Sequence, residues 1–270
     1  MVRPGLPKLV ATDLDGTLVR SDDTVSAYTH EVLDRVRAAG IRIVGATGRG
    51  PRLSELTLSD IRAADFLVLA HGGWVYDTSD PRPLRSERLS GARLDELLAD
   101  MEAEVGPLTV MVEALEHVGS PLWGTRTPNW RYDVTVEDRS RADCLTSDVI
   151  KAYACSPYHH VDDLLAVARR IVPAHVASVT QAGLNVIEIC PPHVDKGTGL
   201  AVVAEAVGVD PADVLVFGDM PNDLPMFAWA GWGRVAVANA HPTVLAVADE
   251  VALSNDEDGV AVYLDRLLSR

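Results

Sequence analysis

Short uninterrupted apolar runs at Leu9–Thr12, Ile41–Ala46 and Phe66–Ala70 alternate with stretches whose apolar positions recur at helical spacing. Val25, Tyr28, Val32, Leu33 and Val36 form one such face, closed by Gly40, and a second helix is expected from Pro51 to Ile61. Four-to-six-residue apolar runs joined by helices suit a mostly parallel sheet, whose strands are buried on both faces. The same rhythm returns late in the chain. Thr198–Val207 predicts a helix stopped by Gly208, Val214–Phe217 a strand, Leu224–Ala230 a helix, Val235–Ala238 a strand and Val260–Leu268 a closing helix.

The middle of the chain has another texture. Asp77–Pro83 reads as a linker, followed by a helix at Leu89–Val105, a strand at Leu108–Leu115, irregular chain at Gly119–Trp130 and a half-buried strand at Arg131–Val136. Val149–Ala154 is expected to be extended and Val161–Val172 helical, with Ala177–Thr180 and Leu184–Cys190 pairing as strands. The predicted fold is therefore α/β: a Rossmann-like, mostly parallel, three-layer core from residues 1–81 plus 193–270, interrupted by an inserted α+β domain at 82–192.

Composition narrows the classes. A chain of 270 residues, 47% hydrophobic, can bury a substantial core. Its formal charge of -15, from 24 basic and 39 acidic residues, opposes general attraction to nucleic acid or anionic membrane. No stretch has transmembrane length and the N-terminus lacks the apolar core of a signal peptide, so a soluble cytoplasmic protein is expected. The cysteines, at 144, 155 and 190, are odd in number and widely spaced, which suits reduced thiols. Lysine occurs at positions 8, 151 and 196 alone.

Four polar clusters follow or neighbour the predicted core strands: Asp13 and Asp15, Thr47-Gly48-Arg49, Lys196, and Gly218-Asp219-Met220-Pro221-Asn222-Asp223. Singly, each has a plain reading as a cap, a turn or a solvated charge. Together at the carboxyl edge of one sheet, where ligands of open α/β folds bind, they point to chemistry. Alternation would place Asp13 and Asp15 on one strand face, at its end. One can attack phosphorus while the other moves a proton. A hard divalent cation, Mg²⁺ above all, would offset the repulsion between carboxylate and phosphate.

Asp13-Leu14-Asp15-Gly16-Thr17-Leu18, Thr47-Gly48-Arg49, Asp195-Lys196-Gly197 and Gly218–Asp223, in that order and with an insertion after the third strand, resemble the four motifs of the haloacid dehalogenase superfamily, type IIB, in which the insert is a substrate-specificity cap. The resemblance implies Asp13 as nucleophile, Asp15 as general acid/base, and Thr47 and Lys196 as catalytic residues holding the phosphate. It places Gly48, Arg49 and Asn222 at the substrate, with a structural salt bridge the alternative for Arg49 and a loop contact the alternative for Asn222, and Mg²⁺ on Asp13, Asp15 (through its carbonyl) and Asp219, with Asp223 acting through water. The activity implied is an Mg²⁺-dependent phosphatase acting on a small phosphorylated metabolite, such as a sugar phosphate, through an aspartyl phosphate. A phosphosugar mutase and a noncatalytic metabolite-binding or scaffold protein are the alternatives, and both a monomer and a homodimer are compatible with the sequence. His71-Gly72-Gly73 departs from the Asn-Gly that relatives commonly carry, and a turn-stabilising histidine is the preferred reading. In the cap, Arg126 and Asn129 are the foremost substrate contacts, followed by Asn185 and His193.

Overall fold

The computed structural model describes residues 5–80, 82–128, 130, 134–181 and 185–269. In chain order the strands are β1 (Leu9–Thr12), β2 (Arg42–Ala46), β3 (Phe66–Leu69), β4 (Trp74–Asp77), β5 (Pro83–Ser86), β6 (Thr109–Glu113), β7 (Leu122–Gly124), β8 (Val136–Glu137), β9 (Lys151–Cys155), β10 (Ser178–Thr180), β11 (Ile187–Cys190), β12 (Val214–Gly218), β13 (Gly233–Ala236) and β14 (Glu250–Val251). They divide into two sheets.

The first compact unit comprises residues 1–47, 55–85 and 195–270. Its sheet runs β14-β13-β12-β1-β2-β3-β4-β5, parallel from β14 through β3, and β4 returns antiparallel to β3. Every residue of β1, β3 and β12 is buried, as the apolar runs require of central parallel strands. Among the helices, Ala27–Ala38 packs with Gly259–Leu268, and Lys196–Val207 with Leu224–Trp229. Ser26 caps the first of these by accepting from Thr29 N at 3.0 Å.

The second unit comprises residues 48–54 and 86–194. Its sheet, β10-β11-β9-β6-β7-β8, is antiparallel except for the β7–β8 pair. Leu94, Leu98 and Met101 of helix Gly91–Val105 and Leu164 of helix Val161–Ile171 share a core with Val112, Ala152, Ala154, Ile187 and Ile189 of the sheet. A smaller cluster joins Met111, Leu122, Val134, Tyr153 and Val186, and Trp130 meets the Tyr153 ring edge-on at 4.7 Å. By strand alternation this second set lies on the opposite sheet face.

Several local expectations change. The expected linker Asp77–Pro83 contains the end of β4 and the start of β5, and the expected irregular stretch Gly119–Trp130 contains β7. These short strands are specified by pairing with the strands just before them in sequence, β4 with β3, β5 with β4 and β7 with β6, not by their own periodicity. The compact units also divide elsewhere than at 82 and 192: 48–54 joins the second unit because its contacts are with that sheet. Residues 131–133 of the expected strand Arg131–Val136 lie outside the described residues. The three cysteines are free thiols, and among the described residues no helix is long and apolar enough to cross a membrane.

Candidate active site

Strand register brings two of the polar clusters together within the first unit. Thr12 lies opposite Phe217 in the parallel β1–β12 pair, and Asp13 N donates to the Phe217 carbonyl at 3.0 Å. The chain therefore leaves both strands at one edge, carrying Asp13 and Asp219 side by side. β1 ends at Thr12, so Asp13 and Asp15 stand in the following turn instead of on one strand face. Gly16 makes that turn with φ +87°, and a Cβ there would lie 2.5 Å from Asp219 Oδ2. Only glycine meets both demands.

Lys196 enters from the first turn of helix Lys196–Val207. Asp195 caps that helix: its carboxylate accepts from Thr198 N at 2.7 Å, while Asp195 N donates to Thr198 Oγ1 at 3.2 Å. Fully buried, Lys196 Nζ donates to Asp13 Oδ1 at 2.5 Å and to Asp223 Oδ1 at 2.6 Å. Asp223 Oδ2 accepts from Asp219 N and Met220 N, both at 2.9 Å. The Asp223 carboxylate thus folds its own loop while holding the lysine. Thr17 Oγ1 completes the cluster, 3.0 Å from Asp219 Oδ1 and 3.3 Å from Asp13 Oδ2.

Electrically the cluster is short of positive charge. One carboxylate oxygen from each of Asp13, Asp219 and Asp223 lies within 4.8 Å of the others, and all three residues are buried. Burial first, then repulsion from Asp13 and Asp223, pushes the Asp219 carboxyl up to about 9. Burial likewise raises Asp223 to about 6, although Lys196 pulls it down. Burial works against the Lys196 ammonium, yet attraction to Asp13 and Asp223 outweighs it and holds the group charged above its ordinary range. Three carboxylates facing one ammonium make a hard-oxygen donor set that a divalent cation such as Mg²⁺ fits.

The structure thus unites Asp13, Lys196, Asp219 and Asp223. Asn222 is buried beside them in sequence, its Nδ2 3.5 Å from His71 Nδ1. His71, with φ 56°, follows Ala70 with φ 48°, two successive left-handed residues without glycine's freedom. Asp15 is half-buried, and its carboxylate is not among the clustered oxygens of the described residues. The Thr47 backbone is pinned, its N donating to Val68 O at 2.8 Å and its carbonyl accepting from His71 N at 3.1 Å. Gly48 and Arg49, from the same sequence cluster, belong to the second unit. There Arg126, Asn185 and His193 are exposed, and Asn129 lies outside the described residues.

Two residues went unassigned in the sequence. Thr17 carries a hydroxyl two positions after Asp15, a signal that local spacing offers. Asn239, whose Nδ2 donates to Gly16 O at 2.8 Å, offers none, because it meets the turn across 223 residues of chain.

Comparison with known proteins gives the family. A family model for haloacid dehalogenase-like hydrolases matches residues 10–264. The chain is 29% identical to the 5-amino-6-(5-phospho-D-ribitylamino)uracil phosphatase YwtE of Bacillus subtilis (strain 168), over 97% of this chain and 98% of that protein. It is also 29% identical to a phosphoglycolate phosphatase of Methanopyrus kandleri, again over 97% and 98%. A solved sugar phosphatase of haloacid dehalogenase subclass IIB, BT4131, shares the fold with a TM-score of 0.80 at 20% identity, covering 96% of this chain and 98% of its own.

Proposed function

The chain belongs to the haloacid dehalogenase-like hydrolases, and we propose that it is an Mg²⁺-dependent phosphatase of the type IIB branch, releasing inorganic phosphate from a small phosphorylated sugar, sugar alcohol or related metabolite. The observation that carries this reading is the buried Lys196 held between Asp13 and Asp223 beside Asp219. Asp13, Asp219 and the Asp15 carbonyl would hold the cation, with Asp223 supporting it through water. Bound there, Mg²⁺ supplies the positive charge that the three carboxylates lack and offsets their repulsion of a phosphate group.

In the reaction proposed, an Asp13 carboxylate oxygen attacks phosphorus, forming an acyl phosphate as the ester P–O bond breaks. Asp15 gives its proton to the departing alkoxide. It then takes a proton from the water whose oxygen attacks phosphorus, which frees phosphate and restores Asp13. Lys196 and the Thr47 hydroxyl hold the phosphoryl oxygens, with Gly48, Arg49 and Asn222 completing the substrate contacts. Substrate choice we place in the second unit, with Arg126 and Asn129 as its first contacts. Small phosphorylated metabolites, the substrates of the named relatives, support that class.

A panel of phosphorylated metabolites assayed with Mg²⁺ for inorganic phosphate tests the reading, with Asp13→Asn as control. Asp13-dependent phosphate release is expected. Conversion of a hexose phosphate to its isomer without release would overturn hydrolysis in favour of phosphate transfer to sugar, and binding without turnover would leave a noncatalytic protein.

A further inference from the structure

A second buried ionic cluster lies wholly within the second unit. β6, β9 and β11 pair so that Glu113 is opposite Lys151 and Glu188 opposite Tyr153. By alternation these side chains share the sheet face turned away from the helices Gly91–Val105 and Val161–Ile171, where polar residues usually meet water. Instead Glu113, Lys151 and Glu188 are at most 1% exposed. Burying such charges needs a reason, because each costs several kcal/mol in lost hydration unless closely paired.

The segment 48–54 covers part of this face and is built around it. Lys151 Nζ donates both to the Gly48 carbonyl and to Glu188 Oε2, the latter at 2.6 Å. The Glu113 carboxylate accepts from Arg52 N at 3.4 Å and from Tyr153 Oη at 3.3 Å. It also lies so close to Gly50 that a Cβ there would come within 2.1 Å of either carboxylate oxygen. Arg52 in turn donates through Nε to the Ser120 carbonyl at 2.8 Å. Every polar contact in this set therefore fixes either the path of 48–54 or a charge that fixes it.

We propose that the Lys151–Glu188 pair is a positioning device for phosphoryl transfer: by holding the Gly48 carbonyl from the sheet of the second unit, it sets the peptide that joins Thr47 to Arg49. The inference rests on the phosphatase reading, in which those two residues hold phosphate and substrate. Lys151 acts through Gly48. Because the held group is common to all phosphate esters, losing the tie lowers turnover alike for a small aryl phosphate and for a phosphorylated sugar.

The double variant Lys151→Met with Glu188→Leu tests this, since replacing both members of a buried pair by apolar groups of similar volume preserves folding better than removing one. Three readouts are needed: amide hydrogen exchange across 47–54, and kcat and KM on p-nitrophenyl phosphate and on the best sugar phosphate found. Faster exchange in that segment is expected, with kcat falling about tenfold or more on both substrates, as misplacement of a positioned group by an ångström or less can produce. Glu188→Gln, which keeps the volume and an acceptor, should show the same effects more weakly and serves if the double variant does not fold. Unchanged exchange at 47–54, or faster exchange with wild-type kcat, overturns the proposal. Loss on the sugar phosphate alone also overturns it, by making the pair a substrate contact. Absence of Asp13-dependent phosphate release from the wild-type protein sinks the phosphatase reading itself, which activity in the wild type with intact activity in the variants does not.

Discussion

Two of the three lysines are fully buried, one in each compact unit, and each lies between carboxylates, but their charge balances differ. Lys196 faces Asp13 and Asp223, with Asp219 alongside, so negative charge is in excess. Among the contacts described, Lys151 shares its cluster with Glu113, Glu188 and Arg52, two charges of each sign. An unbalanced cluster calls for a cation and discriminates among ligands; a balanced one satisfies itself and holds backbone. The same residue type, equally buried, is thus read as chemistry in one unit and as alignment in the other.

The sharpest way to break that contrast is to remove Asp13. Asp13→Asn should lower phosphate release by about 10³-fold or more while the protein remains folded, as removal of a nucleophile does elsewhere. Steady-state assay beside circular dichroism checks both halves. In the second cluster the expected effect is on stability: Lys151→Met removes the ammonium that pairs with Glu188 and should cost about 3–5 kcal/mol, most of it regained on adding Glu188→Leu. Urea unfolding of the single and double variants measures this, and additive losses would show that the pair is not a self-satisfying unit.

Charge excess also predicts a pH dependence. The folded metal-free protein keeps a proton on Asp219, raised to about 9, that the unfolded chain gives up near 3.8. Its contribution to stability is complete below 3.8, declines as pH rises, and is lost above about 9. Wild type in EDTA should therefore lose stability relative to Asp219→Asn between pH 6 and about 9, and saturating Mg²⁺ should remove the difference in slope. Parallel stability curves for the two proteins in EDTA would refute an excess of charge at this site. The smallest effect is expected at exposed Arg126, where Arg126→Ala should shift stability by no more than about 0.5 kcal/mol and alter kcat/KM for some substrates only. Equal kcat/KM ratios across the substrate panel would remove Arg126 from substrate choice.

What was legible in the sequence follows the range of the interactions involved. Leu9–Thr12, Phe66–Leu69 and Val214–Gly218 are read directly, because a strand buried on both faces must be apolar throughout. Asp13, Lys196, Asp219 and Asp223 were legible because each lies beside a strand end or starts a helix, so the sheet converts their separation in sequence into proximity. The strands β4, β5 and β7 were not, since unlike the equally short β1 and β3 they are not buried throughout and lie beside proline or glycine, which read as turns. Lys151 was invisible for a different reason. Glu113, Lys151 and Glu188 alternate with apolar neighbours, the usual pattern of a sheet face in water, and their burial depends on a seven-residue segment some sixty positions before the first of them.

Segment order has a consequence for how the protein is made. β1 takes its two neighbours, β2 and β12, from opposite sides of the insertion, so the central strand of the first sheet is half-paired until Val214–Gly218 has been synthesised. Chains emerge N-terminal end first and long-range pairing is slow. Residues 86–194 are complete by then and can assemble earlier around helix Gly91–Val105. A ribosome-bound chain that ends before Lys196 carries Asp13 and Thr47 but neither the ammonium nor Asp219. The cluster of Asp13, Lys196, Asp219 and Asp223 is thus assembled only after the whole of 86–194 has been synthesised.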